Sequence, residues 1–348
     1  MSALLYFLFK IYLKIGLFFY SKKINILGKE NVPKKGPILF TANHPNALID
    51  PLLIATNTTR KTYFLVRAAV FKKKIIASFL NLLGMMPIYR IRDGVKQLSK
   101  NEEIFNNCQE LLKNNKSLLI FPEGSHSKKR TIRPISKGFT RIVYRTLDKY
   151  PDLKIYIIPV GITYQNSSKY PSEVTVAFGK PIIANDFYNT NDLNSSVKSL
   201  KNQVHIQLKK LTVHIEDDEN YSTILTKLNN ARTDFTAIDT VNLNIKKENY
   251  SIKPNPSKTR KFPLFYLIIL NSFFPYLIWK LIRKKIDEIE FIDTFRFGLG
   301  MVLFPLFYFL QGWTIYLFFN FKIALLYTIT SFLLVLIYTK TSNTKGSN

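Results

Sequence analysis

The sequence predicts an α/β fold: a largely parallel sheet flanked by helices, with a C-terminal transmembrane helical segment. Two observations carry this. From Ile24 to about Lys180, short apolar runs of strand length alternate with longer amphipathic ones, and strands separated by helices imply buried parallel pairing. From Phe262 the chain turns apolar and aromatic, in stretches long enough, or nearly so, to cross roughly 30 Å of hydrocarbon. These patterns divide the chain into an N-terminal interfacial or membrane-anchoring helix (1–23), the α/β domain (24–215), a polar accessory segment and linker (216–261), a membrane region (262–340) and a tail (341–348).

The N-terminal run, Ala3 to Tyr20, carries Lys10 and Lys14 on one helical face and is followed by Lys22 and Lys23. That is the pattern of an interfacial anchor, with a spanning helix as the alternative if both lysines snorkel. Phe18, Phe19 and Tyr20 leave no small-residue cleavage site for a signal peptide.

Within the α/β domain the strand candidates are Ile24 to Leu27, Ile38 to Thr41, Tyr63 to Val66, Pro87 to Tyr89, Ser117 to Phe121, Ile155 to Val160 and Val174 to Phe178. Helical spacing marks Phe71 to Leu83, Val95 to Leu112, Lys137 to Leu147 and Leu193 to Leu211. Polar clusters fall at the strand ends, where such sheets place their sites.

The first cluster is Asn43-His44-Pro45-Asn46 with Asp50. Pro45 holds His44 out of helical geometry at the end of a strand. If the chain turns at Pro45 and Asn46, Asp50 accepts from one ring nitrogen and leaves the other as a base near neutral pKa. The alternative is that Asp50 caps a short helix over Leu52 to Thr56, with Pro51 at its first position. Next comes Gly84 to Arg90, where an arginine beyond a short strand can grip a phosphate, or simply be a surface cation.

The run Leu118 to Phe121 then leads into Pro122-Glu123-Gly124-Ser125-His126. Gly124 allows close backbone approach to a ligand, and Glu123 faces the same rim. His126 competes as a base, but its Ser and Lys neighbours suggest an exposed loop. Ser125 lacks the Gly-x-Ser-x-Gly elbow of a serine hydrolase. Arg133 and Lys137 precede a helix whose N-terminus favours an anion. Pro159, inside an apolar strand, marks an edge or bulge, with a tunnel wall as its functional reading.

The charge narrows the partners. Lys and Arg number 50 against 23 Asp and Glu, a net of +27, which suits nucleic acid, an anionic bilayer, a phosphorylated substrate or an acidic carrier protein. The 28 Phe and 19 Tyr concentrate at the two ends of the chain, which favours membrane, and no nucleic-acid motif appears. Cys108 is alone, so neither an internal disulfide nor a cysteine cluster can form, and its helical spacing suggests a core thiol. Four histidines, at 44, 126, 205 and 214, lack clustered acidic partners, so no metal site is expected.

Taken in order, Asn43-His44 with Asp50, Gly84 to Arg90, Phe121-Pro122-Glu123-Gly124 and Ile158-Pro159-Val160-Gly161 resemble the four blocks of the glycerolipid acyltransferase family. The resemblance covers roughly residues 20 to 215. It implies acyl transfer from acyl-CoA or acyl carrier protein, a co-substrate rather than a cofactor, to a glycerol hydroxyl. His44 resembles the family's general base and Asp50 its orienting acid. Arg90, Glu123 and Gly124 match positions that hold the acceptor phosphate, and Asn43, Arg133, Lys137 and Pro159 are grouped with them as substrate-binding candidates. The acceptor expected first is 1-acylglycerol 3-phosphate, with glycerol 3-phosphate second and another lysolipid third. The usual family spacing places four residues between histidine and aspartate, whereas five stand here, and the Asn-rich version of the block is similar to a branch containing fungal-type glycerol-3-phosphate acyltransferases. A membrane-anchored lipid-binding scaffold is the non-enzymatic alternative.

After Leu211 the chain turns polar, through the acidic run Glu216 to Glu219 and a Pro-Lys linker from Lys253 to Lys261. Beyond it, Phe262 to Ile282 is interrupted by Pro263, Asn271 and Pro275 and flanked by basic residues on both sides. This suggests a re-entrant or interfacial segment with both ends cytoplasmic, then a two-helix hairpin turning near Asn320 to Lys322, with three full spans as the alternative. The catalytic domain is therefore expected on the cytoplasmic face of a membrane, against anionic lipids.

Overall fold

A computed structural model describes residues 3–71, 74–89, 101–251, 262–342 and 344. One eight-stranded sheet organises it. Strands β1 (Lys23–Leu27), β2 (Ile38–Ala42), β3 (Thr62–Arg67), β4 (Met85–Ile88), β5 (Ser117–Ile120), β6 (Tyr156–Tyr164) and β7 (Glu173–Phe178) lie in the order β1-β7-β6-β2-β5-β3-β4, and the two-residue β8 (Ile182–Ile183) pairs with β6. Pairing is parallel throughout except where β6 meets β7 and β8.

Alternate residues of the central strand feed two cores, as the pleat requires. Ile38, Phe40 and Ala42 of β2 join Leu53, Ile54 and Phe178 in one layer, against α2 (Ile49–Asn57) and the N-terminal helix α1 (Ala3–Tyr20). Leu39 points the other way, into a layer with Cys108, Phe139, Ile142 and Leu200 from α4 (Asn101–Lys113), α5 (Gly138–Lys149) and α6 (Leu193–Leu211). Cys108 is the core thiol its spacing suggests, fully buried and pushed up to about 12 by that burial.

Several elements differ from expectation. The helix expected over Phe71 to Leu83 is present as α3 (Lys74–Leu82), but Phe71 itself ends a 3-10 turn, Ala68–Phe71. Residues 95–100 of the next expected helix lie outside the described residues. Pro159 lies within the sheet, not at an edge, because β6 changes partner there. β8 faces Tyr156 and Ile157, β7 faces Val160 onward, and between them the missing N–H has no partner to disappoint. The Pro159 carbonyl accepts from the Gly179 N–H at 2.8 Å.

The accessory segment holds α7 (Tyr221–Asn230) and α8 (Ile238–Lys246), which close a third apolar cluster around Phe235. The Pro-Lys linker, residues 253–261, lies outside the described residues. Two further helices, α9 (Phe262–Asn271) and α10 (Phe273–Arg283), meet at a bend of 92°. They precede α11 (Ile292–Phe318) and α12 (Phe321–Thr341), a hairpin whose second helix is capped by Asn320. Among the described residues, two helices, Ile289–Phe318 and Phe321–Thr341, are long and apolar enough to cross a membrane, or three spans if the bent pair counts as one.

Candidate active site

Parallel register places the C-terminal ends of β2 and β5 side by side, with Thr41 opposite Ile120. His44 leaves the first and Phe121 the second, so the two rings meet. They stack with centroids 3.8 Å apart and planes 10° from parallel.

The chain turns at Pro45 and Asn46, and the longer spacing still closes. His44 Nδ1 lies 2.8 Å from Asp50 Oδ2. Asp50 is not the cap of its helix: that position belongs to Leu48, and Asp50 sits in the first turn, where the helix dipole favours a carboxylate. Its side chain is fully buried, and it also accepts from the Asn46 N–H at 2.7 Å and the Tyr164 hydroxyl at 2.7 Å. Burial raises the Asp50 carboxyl above its ordinary range, and the His44 contact is the strongest of the influences opposing that rise. With Nδ1 engaged by Asp50, His44 keeps Nε2 as its second nitrogen.

The Asn43 amide faces the sheet. It donates to the Ile162 carbonyl at 3.0 Å and accepts the Ile162 N–H at 2.7 Å, prolonging the pairing of β2 with β6 past the last β2 residue. Asn43 therefore sets where His44 emerges.

Glu123 and Arg133 come together on the same rim. Arg133 Nε donates to Glu123 Oε2 at 2.7 Å, and its other nitrogens reach the hydroxyl and carbonyl of Ser125. Burial raises the Glu123 carboxyl while Arg133, and more weakly His44, pull it down. Gly124 adopts φ +75° with open space where a side chain would begin, and its N–H closes a turn onto the Phe121 carbonyl at 3.0 Å. Lys137 is exposed at the N-cap of α5. Pro159 is buried one strand away. Arg90 lies outside the described residues.

His126 is not an exposed loop residue. Its side chain is 23% exposed, its ring stands edge-on to His44 at 5.8 Å and to Phe291 at 5.3 Å, and Glu288 and Glu290 approach it at 3.7 and 4.0 Å. Burial lowers its pKa. Lys128 ties the same C-terminal segment down, donating to the Ile289 carbonyl at 2.9 Å and to Ser168 Oγ at 2.7 Å.

Sequence reasoning missed Tyr164, and also Asn46, Asp293 and Thr294, which link the histidine loop to α11. Asp293 did leave a signal, being the last carboxylate before a membrane-length apolar run.

Residues 23–163 match the family model described as Acyltransferase. Among proteins similar to this chain, "Glycerol-3-phosphate O-acyltransferase 2" of Saccharomyces cerevisiae is 23% identical over a 311-residue alignment that covers 59% of this chain and 41% of that protein. "1-acyl-sn-glycerol-3-phosphate acyltransferase LPAT1, chloroplastic" of Arabidopsis thaliana is 30% identical over 143 residues, 40% of this chain and 38% of that protein. The chain thus spans less than half the length of these two curated relatives. The crystal structure of the 1-acyl-sn-glycerophosphate acyltransferase PlsC from Thermotoga maritima is 20% identical, with a TM-score of 0.39 over 54% of this chain and 72% of that one.

Proposed function

We propose that the protein is a membrane-bound O-acyltransferase that moves a fatty acyl group from a thioester donor to the free hydroxyl of 1-acylglycerol 3-phosphate in phospholipid synthesis. The observation that carries this reading is the His44–Asp50 contact at 2.8 Å, set at the strand-end rim that Glu123 and Arg133 share. As the hydroxyl oxygen bonds to the thioester carbonyl carbon, its proton passes to His44 Nε2. The C–S bond then breaks, and the imidazolium returns the proton to the departing thiolate. Asp50 holds the tautomer and steadies the charged ring, and general base catalysis of this kind contributes roughly a hundredfold to ten-thousandfold. No covalent enzyme intermediate is required.

Arg133, oriented by Glu123, is the proposed partner of the acceptor phosphate, assisted by Lys137 and Arg90. The donor is acyl-CoA or acyl carrier protein, and the net charge of +27 suits an acidic carrier and anionic lipids. Basic residues around α10, Lys280 and Arg283 to Lys285, favour a cytoplasmic catalytic face.

Glycerol 3-phosphate is the second reading of the acceptor. It is favoured by the larger share of this chain aligned with the yeast glycerol-3-phosphate acyltransferase, 59% against 40% for the plant protein. Detergent-purified protein offered both acceptors, each with acyl-CoA and with acyl carrier protein, separates the readings. Turnover of 1-acylglycerol 3-phosphate alone supports the first, and turnover of glycerol 3-phosphate alone installs the second. Turnover of neither rejects both.

A further inference from the structure

The loop from Asn43 to Leu48 has no regular structure of its own, so the position of His44 depends on side-chain ties. One tie comes from 247 residues away: Asn46 Nδ2 donates to Asp293 Oδ2 at 2.9 Å. Asp293 lies in the first turn of α11, is 4% exposed, and also accepts from the Tyr20 hydroxyl of α1 at 2.7 Å and from Arg296 one turn further on at 2.8 Å. Asn46 is 1% exposed, and its own N–H donates to Asp50 Oδ2 at 2.7 Å. A neighbouring contact runs the same way, from the Leu48 N–H to Thr294 Oγ1 at 3.1 Å. A continuous series of hydrogen bonds therefore joins Arg296, Asp293, Asn46, Asp50 and His44.

We propose that Asp293 is a positioning residue for acyl transfer: it fixes Asn46, and through it the Asp50–His44 pair, making the C-terminal hairpin a working part of the site as well as an anchor. The proposal rests on the acyl-transfer reading above. Two physical points support it. A buried charge cluster is a weak source of net stability, so its convergence on this loop calls for a role beyond holding the fold. And α11 is a candidate membrane span, so a tie at its first turn sets the depth of His44 relative to the bilayer from which a lipid acceptor would enter.

The test compares Asp293→Ala and the isosteric Asp293→Asn with Asn271→Ala, which loosens the hairpin away from the loop. Among the described residues, the Asn271 side chain donates to Ser331 Oγ at 3.0 Å and accepts from the Tyr327 hydroxyl at 2.5 Å, both in α12. The readouts are kcat and KM for the acceptor that is turned over, and hydrogen–deuterium exchange of the peptide covering residues 43–53. Asp293→Ala is expected to lower kcat about tenfold to a hundredfold with KM within about twofold, and to speed exchange in that peptide. Asp293→Asn should lie between it and the wild type, while Asn271→Ala lowers the melting temperature without these changes. Parallel losses of kcat and melting temperature in the Asp293 and Asn271 variants would overturn the proposal, as would wild-type kcat in both Asp293 variants. If the wild type turns over no acceptor, the functional reading has failed. The exchange experiment then still decides the tie, and unchanged exchange in both Asp293 variants sinks it.

Discussion

The imidazole of His44 lies flat on the phenyl ring of Phe121 at 3.8 Å between centroids, while Asp50 grips Nδ1 from the side at 2.8 Å. One contact sets the plane of the ring and the other its rotation within that plane. Together they aim Nε2. Replacing Phe121 by Leu keeps apolar bulk but removes the flat face. The expected result in steady-state kinetics is a kcat reduced about threefold to thirtyfold, since small misorientation of a reacting group is costly, with the melting temperature little changed. An unchanged kcat would show that Asp50 alone orients the ring.

Tyr164 donates to the second oxygen of Asp50 at 2.7 Å. Its phenol stays protonated, because burial and the adjacent carboxylate hold it well above its ordinary value. Removing a donor to the charged form raises a carboxyl pKa, and burial already pushes Asp50 upward. In Tyr164→Phe the acidic limb of the kcat/KM profile should therefore move to higher pH. A shift to lower pH would contradict the hydrogen-bond assignment.

His126 gives a pH dependence to stability. Burial lowers its pKa from the ordinary 6.5, His44 and Arg133 repel its charged form, and Glu288 and Glu290 only partly compensate. A depressed histidine binds fewer protons folded than unfolded below pH 6.5, so stability rises with pH through that window and falls on acidification. Melting scans between about pH 7.5 and pH 5.5 should show a smaller loss in His126→Gln than in the wild type. Equal losses would mean that other groups dominate.

Gly161 follows Val160 in β6, at the point where α6 ends. A Cβ there would lie 2.0 Å from the Leu211 carbonyl oxygen, a backbone atom that cannot swing aside. Gly161→Ala should destabilise the domain by about 1–3 kcal/mol, read as an earlier midpoint in denaturant unfolding. A wild-type midpoint would show that the end of α6 shifts freely.

The strands around the site were legible because their apolar runs are short, continuous and followed by polar clusters. β2 and β5 appear almost as their sequence patterns suggest, and His44, Asp50, Glu123 and Arg133 emerge at one rim because parallel pairing brings those ends together. What escaped depends on tertiary choice. Nothing local told whether Asp50 would cap its helix or turn inward, since both positions suit an acid before Pro51. Pro159 looked like an edge residue because a change of partner strand cannot be read from one strand. His126 looked solvated among Ser and Lys, and what buries it, the segment from Glu288 to Phe291, lies more than 160 residues downstream. Asp293 escaped because its partners Tyr20 and Asn46 lie 273 and 247 residues away.

The central claim is that His44 takes the proton of an acyl acceptor. The most direct test is acyl transfer by purified wild-type protein and by His44→Ala, with 1-acylglycerol 3-phosphate and an acyl thioester, alongside melting scans and lipid binding. The variant is expected to lose about a hundredfold or more in kcat, with melting temperature and lipid binding retained. Wild-type turnover by a folded His44→Ala protein would contradict it.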